Sequence, residues 1–204
     1  MNRMTDRSEG TRTPPDDSRT VHLTDPRAMR ALAHPTRLQL LGELRTRGPQ
    51  TVGMLSEIVD EAVGSVSYHL GKLASFGFVE EVPELARDRR ERWWRAAHER
   101  TTFKPVEVLD NPERRAALDS FRRSVLRRYV EVLERYLESE ATLAPAWVAG
   151  ATSSDTQVHL TSDELMELQA DLKALGDRWE ARGVAGRAGT EPVTLMFHAF
   201  RRPE

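Results

Sequence analysis

The side chains best suited to do chemistry lie in one short segment, VGSVSYHLGKLAS at residues 63–75. Its apolar residues recur at three- and four-residue steps, which predicts a helix with one buried face. The predicted buried residues are Val63, Val66, Leu70 and Leu73. The opposite face is small or hydrogen-bonding, and no Asp or Glu occurs between Ala62 and Gly77. Such a face can approach a polyanion closely and donate hydrogen bonds to it.

Two shorter helices are predicted ahead of this segment, in a helix-turn-helix arrangement. Thr51 is a suitable N-cap for a helix that runs to Val59, and only residues 60–62 separate it from the next helix. An earlier helix is predicted to begin at Pro35, because the residue before a proline avoids helical angles. Gly77 follows the last apolar residue of the third helix, where a left-handed stop favours glycine.

Two strands, about 78–82 and 91–95, are predicted after the third helix, with a cationic loop between them. Five arginines fall within residues 87–95, together with Asp88 and Glu91. A ribbon of this kind can lie along a phosphate backbone or enter a minor groove. The alternative is a solvated tip with internal Arg–Asp pairs. Of Trp93 and Trp94, one must face the core and the other outward.

The segments ALAHPTRLQLLGEL at residues 31–44 and SVSYHLGKLASFGFVEEV at residues 65–82 resemble the winged helix-turn-helix of ArsR-type bacterial transcriptional regulators. The resemblance covers residues 24–97. It implies a homodimer that binds double-stranded operator DNA, usually as a repressor released by a ligand, with residues 65–69 facing the major groove. The best-known metal sensors of that family use cysteines, or acid and histidine pairs on the terminal helix. This chain has no cysteine and no histidine on its long helix, so we expect no metal site and no cofactor.

The resemblance and the residue pattern together predict the DNA contacts. From the third helix we expect Gly64, Ser65, Ser67, Tyr68, His69 and Lys72. From the loop and the following strand we expect Arg87, Arg89, Arg90 and Arg92. Ser65, Ser67 and Tyr68 would read bases, and Lys72 and His69 would contact phosphates. For His69 the alternative is packing against the neighbouring helix.

A long amphipathic helix is predicted after the ribbon, beginning at Asn111-Pro112 as cap and first residue. Its apolar face is expected to pair with a second chain, although packing on its own chain's core is the alternative. The predicted dimer residues are Leu118, Phe121, Val125, Tyr129, Val132 and Tyr136. A dimer would place two recognition helices about 34 Å apart, one turn of DNA.

The last 60 or so residues predict a strand, a helix and a second strand. Residues 156–160 and 193–201 alternate in polarity, and Thr161 to Glu164 form a capping box that starts a helix between them. This β-α-β unit could contact a small-molecule effector or a second chain. Its aromatic and methionine residues could equally be ordinary core residues. They are Trp147, Trp179, Met196, Phe197 and Phe200.

Composition excludes several classes of protein. The 204 residues carry a formal net charge of −2, so a nucleic-acid partner must be argued from where the charges lie. Residues 24–97 hold 11 Lys/Arg and 10 Asp/Glu. Disulfides, zinc–thiolate sites and thiol redox sensing require cysteine and are excluded. No phosphate loop or nucleophile motif points to an enzyme, and no signal peptide or membrane span is apparent, so we expect a cytoplasmic protein.

The sequence therefore predicts a mainly α fold with small β content. We divide it into a disordered tail at 1–22, a winged helix-turn-helix domain at 23–100, a long dimerisation helix at 101–142 and a β-α-β unit at 143–204. The predicted function is that of a homodimeric DNA-binding regulator, a repressor controlled by a non-thiol effector. The alternative is a winged-helix protein-interaction module without DNA readout.

Overall fold

The computed structural model describes residues 19–88, 91–183 and 187–203. The chain divides into two compact units, with the boundary between Arg128 and Tyr129.

Four short helices build the first unit and confirm the predicted helix-turn-helix. They are Pro26–Leu32 (α1), Pro35–Arg47 (α2), Val52–Val59 (α3) and Val63–Ala74 (α4). Thr51 caps α3, accepting a hydrogen bond of 3.1 Å from the backbone N–H of Met54. Asp60 ends α3 in the left-handed conformation, with φ of 52°, and Gly77 turns the chain after α4 with φ of 72°. Asp60 therefore turns the chain from α3 toward α4, and Gly77 turns it from α4 toward the sheet.

Five short strands complete this unit. They are Thr20–His22 (β1), Gln50–Thr51 (β2), Val79–Glu81 (β3), Trp93–Ala96 (β4) and Arg100–Thr102 (β5). The strands β2, β4 and β3 form an antiparallel sheet in that order, with Gln50 opposite Trp94 and Val79 opposite Ala96. This sheet is the predicted ribbon with one further strand.

The strand β1 pairs in parallel with β5. Its residues 20–22 were predicted to belong to a disordered tail, and that part of the prediction is wrong. Val21 packs against the core, and the backbone N–H of Leu23 donates to the carbonyl of Thr102 at 2.7 Å. Each of the three residues of β1 has a ladder partner on β5, and the adjoining Leu23 is buried, so this part of the predicted tail is held in place. Residues 1–18 of the predicted tail lie outside the described residues.

The long helix Pro112–Ser139 (α5) begins as predicted, with Asn111 accepting from the backbone N–H of Arg114 at 2.9 Å. Its first half packs on its own chain, however. Leu118 and Phe121 are buried in the core of the first unit, with Val125 against it. The prediction that Leu118, Phe121 and Val125 form a dimer seam is therefore wrong, because the winged domain already covers that side of the helix.

The second unit contains the end of α5 and two further helices, Pro145–Gly150 (α6) and Ser162–Arg182 (α7). The predicted capping box is present, with Thr161 and Glu164 bonded reciprocally. Residues 151–161 and 190–203 form neither helix nor strand, so the two strands of the predicted β-α-β unit are absent from the described residues. A strand needs a hydrogen-bonded neighbour, which alternation in sequence alone does not supply.

Candidate nucleic-acid interface

One face of α4 is open to solvent along its whole length. The residues of this face are spaced as one side of a helix requires, and each of them is exposed or half-buried. The last of them lies just beyond the end of α4. We call it the α4 face: Val63, Gly64, Ser67, Tyr68, Gly71, Lys72 and Ser75. Tyr68 is 60% exposed at its centre. Val63 is 56% exposed, so its predicted place in the core is wrong; the helix begins there, and packing starts one turn later at Val66.

Two glycines make the α4 face unusually flat. A Cβ built on Gly64 or on Gly71 would meet nothing within 4 Å. Both residues have ordinary helical angles, so neither the backbone nor the packing of this chain requires glycine there. Gly71, in the body of α4, costs about 1 kcal/mol of helix stability relative to alanine, and Gly64, in the first turn, costs less. The absence of side chains at these two positions matters only to a binding partner that lies close to the backbone of α4.

The centre of the α4 face pairs an aromatic ring with a cation. The Lys72 ammonium lies 5.9 Å from the centroid of the Tyr68 ring. Both side chains are exposed, and the face carries no acid to repel phosphate. A hydroxyl, a phenol and an ammonium on a flat helix face can bond to base edges and to phosphate oxygens.

Ser65 does not belong to this face, contrary to the prediction. Its hydroxyl donates to the Glu61 carboxylate at 2.7 Å, and the Thr36 hydroxyl donates to the same carboxylate at 2.5 Å. These two hydrogen bonds, with Ser65 the stronger influence, hold the pKa of Glu61 below its usual value. Ser65 therefore ties the start of α4 to the start of α2 and is not free to read a base.

His69 is also turned away from the α4 face. It is only 8% exposed, and its ring lies 4.5 Å from that of His34, centroid to centroid. Its Nε2 is 3.8 Å from the Glu61 carboxylate, and its buried Nδ1 has no hydrogen-bond partner. Burial lowers the pKa of His69 and of His34, so both rings are neutral at pH 7. The predicted phosphate contact by His69 is wrong, and the alternative of packing against α2 is what the structure shows.

Arg37 is a cation that the sequence analysis did not single out. It lies on α2, half-buried, and its charge is close enough to lower the pKa of both His34 and His69. Its Nε is buried without a partner, and burial lowers its own pKa. Helical periodicity does not distinguish Arg37 from other surface cations. The one feature of the sequence that could have pointed to it is its position in the segment 31–44 that resembles ArsR-type regulators.

The sheet next to α4 has its own charge pairs. Arg92 pairs with Glu81 and lies 5.3 Å from the Trp94 ring, and Arg95 pairs with Glu80 at 2.7 Å. The bond to Glu81 raises the pKa of Arg92. Trp94 is the buried one of the two tryptophans, as the alternation predicted. The strands themselves are therefore nearly neutral, and Arg92 reaches a phosphate only by leaving Glu81.

The cationic loop lies between these strands. Arg87 is exposed, and its backbone N–H donates to the Glu91 carboxylate at 2.8 Å, a bond between the two described ends of the loop. Arg89 and Arg90, both predicted DNA contacts, lie outside the described residues. The loop also contains Asp88, whose carboxylate accepts from the backbone N–H of Glu91.

The described part of the chain contains neither a metal site of clustered side chains nor a membrane-spanning helix. No group of three or more histidine, aspartate or glutamate side chains there could hold a metal ion. None of the helices in those residues is long and apolar enough to cross a membrane.

The α4 face, the turn before it and the sheet beside it define a winged helix-turn-helix, a DNA-binding class of domain. Residues 32–82 match the family described as "Helix-turn-helix domain". The match confirms the predicted helix-turn-helix and shows that the chain contains a domain of a DNA-binding class. The relation to ArsR-type regulators stays a prediction.

Among solved structures, the chain is similar to the homodimeric winged helix-turn-helix DNA-binding domain of a possible ArsR-family transcriptional regulator from Mycobacterium bovis. The two are 24% identical over 56% of this chain and 81% of the other, with a TM-score of 0.31. At that score the likeness supports no further conclusion. No curated protein matches the chain.

Proposed function

We propose that the chain is a homodimeric, sequence-specific repressor that reads its operator through the α4 face. The observation that carries this proposal is that the face is flat, free of acids and open, with two glycines that nothing in the chain requires. A surface that is kept flat at a cost in stability is complementary to a large rigid partner, and the major groove admits a helix of this kind.

The residues of the face divide by chemistry. Ser67 and Tyr68 supply the groups that hydrogen-bond to base edges, and Gly64 lets the start of the helix enter the groove. Lys72 contacts phosphate, and the loop at Arg87 adds attraction to the neighbouring backbone. We assign residues 23–100 to this activity, and the half-buried, hydrogen-bonded pair of Ser65 and Glu61 to holding α4 in place for it.

Symmetry supports the homodimer. A single α4 reads only a few base pairs, and two copies on a two-fold axis read two half-sites one helical turn apart. Repression follows from the resemblance to the ArsR-type regulators. Because the chain has no cysteine, the signal that releases DNA acts without thiol chemistry.

The test is footprinting of the full-length protein on the DNA upstream of its own gene. We expect a protected inverted repeat with half-sites one turn apart. Binding should also weaken with salt, with a log–log slope near −0.9 for each phosphate neutralised. No protection at any site, with random and upstream duplexes bound equally weakly, would overturn the proposal.

Variants separate reading of the sequence from general attraction. Tyr68→Ala should lower affinity for the protected site and leave affinity for random duplex nearly unchanged. Leu85→Ala removes an exposed apolar side chain near the sheet and serves as the matched control. Equal loss in both variants would show that the effect does not come from the α4 face.

A further inference from the structure

The second unit has no interior of its own. Among its described residues, 129–183 and 187–203, not one side chain is buried. Thirteen large apolar residues are exposed instead, and they are distributed over all its elements. They are Val130, Leu133, Leu137, Leu143, Trp147, Val158, Leu160, Met166, Trp179, Val193, Leu195, Phe197 and Phe200. An apolar surface this extensive marks an interface, because a soluble monomer rarely exposes one.

The end of α5 shows what kind of surface this is. Leu126, Val130, Leu133 and Leu137 follow one another at steps of four, three and four residues, and each is 48–60% exposed. This is the spacing of a helix that packs along a second helix. The stripe lies beside the side that packs on the winged domain through Phe121, so α5 has one covered and one uncovered apolar side.

The charges along α5 indicate which helix covers the stripe. Residues 122–128 carry four arginines and no acid, whereas residues 129–139 carry three glutamates and one arginine. A second α5 running antiparallel places the basic half of each helix against the acidic half of the other. In that arrangement Arg127 of one chain lies next to Glu134 of its copy, on the same flank of the stripe. A parallel pair would place like charges together.

The backbones of residues 152–160 and 191–203, the two C-terminal segments, lack partners among the described residues, although the His198 ring lies 5.7 Å from the Tyr129 ring of α5, centroid to centroid. No backbone–backbone hydrogen bond joins residues 152–160 or 191–203 to any other described residue. One side-chain bond links them, from Arg202 Nη1 to Gln157 Oε1 at 3.3 Å, and the Phe197 ring lies against Gly176 of α7. Segments with unpaired backbone N–H and C=O groups and alternating apolar side chains are templates for an added strand.

From these observations we infer that residues 126–203 form half of a two-chain domain, completed only by a second copy of this chain. The apolar stripe of α5, from Leu126 to Leu137, packs antiparallel on the same stripe of the copy. The two C-terminal segments, 152–160 and 191–203, pair as strands across the two chains. The inference rests on the homodimer of the proposed function and names its surface. That surface differs from the predicted seam, because Leu126, Val130, Leu133 and Leu137 replace Leu118, Phe121 and Val125.

Sedimentation equilibrium of the full chain tests the stripe. We expect a dimer, and Leu133→Glu should raise the dimer dissociation constant about 100-fold or more, because the symmetric interface buries two unpaired charges. Val106→Glu is the matched control, since Val106 is 70% exposed outside the stripe, and it should leave the constant unchanged. A wild-type monomer, or equal effects of the two variants, would overturn the inference.

A charge exchange tests the antiparallel direction and does not depend on the Leu133 variant folding. Arg127→Glu and Glu134→Arg should each weaken the dimer several-fold, by placing like charges on facing flanks. The double variant should return the dissociation constant close to that of the wild type. Additive weakening in the double variant would contradict the antiparallel pairing.

Hydrogen exchange tests the proposed strand pairing of the two C-terminal segments. In the dimer we expect slow amide exchange in residues 157–160 and 194–200, which have no backbone partner among the described residues of their own chain. In Leu133→Glu the same amides should exchange at the rate of unstructured chain. Unprotected amides in the wild-type dimer would overturn the strand pairing.

These outcomes separate the inference from the proposed function. A dimer that passes all three tests but binds no DNA contradicts only the proposed function. A monomer that protects a single half-site contradicts only the assembly inferred for residues 126–203.

Discussion

Replacing Gly71 or Gly64 with alanine should stabilise the protein and weaken DNA binding at the same time. Both residues are helical and lie on the α4 face, and a Cβ added at either meets no atom within 4 Å. The substitution therefore introduces no clash within the chain. It removes the conformational freedom of glycine in the unfolded state and leaves the folded state unstrained.

The magnitudes follow from these two facts. At Gly71, in the body of α4, alanine should add about 1 kcal/mol to the free energy of unfolding, or roughly 2–4 °C in Tm for a chain of this size. At Gly64, in the first turn, the gain should be smaller. On DNA, the new methyl group holds the helix away from the groove, and losing one well-made base contact costs on the order of 1–3 kcal/mol. We expect operator affinity to fall about tenfold.

The matched control is Gly42→Ala. Gly42 is exposed on α2, and a Cβ there also meets nothing within 4 Å. It should gain about the same stability as Gly71→Ala and leave operator affinity unchanged. Thermal unfolding and fluorescence anisotropy with an operator duplex measure the two quantities on the same samples.

Two results would refute the reasoning. If Gly71→Ala and Gly64→Ala both stabilise the protein and bind the operator as wild type does, no rigid surface lies against this face. If Gly42→Ala weakens binding as strongly as Gly71→Ala, the loss does not come from the α4 face.

Three further predictions concern the same domain. Tyr68→Ala should lose on the order of 1–3 kcal/mol on the operator and relax its sequence preference, which competition between operator and random duplexes measures; equal losses on both would contradict base reading. Arg87→Ala should reduce the slope of log affinity for DNA against log salt concentration by about one. Arg92→Ala should change that slope less, because Arg92 is already paired with Glu81. Binding titrations at several salt concentrations measure both slopes. Burial lowers the pKa of His69 in the folded protein below its ordinary value of 6.5. Near and below pH 6.5 the unfolded chain therefore binds more protons at this residue than the folded chain does. The free energy of unfolding should consequently fall as the pH drops from 7 through 6. Denaturant unfolding should show a weaker pH dependence for His69→Phe, and an unchanged one would contradict the assignment.

The helix-turn-helix could be predicted from sequence because its signals are local. Thr51 caps α3, Gly77 stops the chain after α4, and Asn111 caps α5, and each acts within four residues of its position. The α4 face followed from the same periodicity at Tyr68 and Lys72.

The errors arose where contacts between elements decide the outcome. Ser65 and His69 share a side of α4 with Glu61, and periodicity does not show that α2 covers that side. Likewise, the apolar pattern of α5 does not reveal which of two apolar sides the winged domain covers. The alternation at residues 156–160 predicted a strand that the described residues do not contain, because a strand also needs a hydrogen-bonded neighbour, which alternation does not reveal.

The central claim, that the α4 face lies in the groove of DNA, is tested most directly by photocross-linking. The wild-type protein is bound to an operator duplex with 5-iodouracil in place of thymine, irradiated, and digested with trypsin before mass spectrometry. The account predicts cross-links at Tyr68, in the peptide that ends at Lys72. Cross-links confined to residues 129–203, with none between Val63 and Ser75, would contradict it.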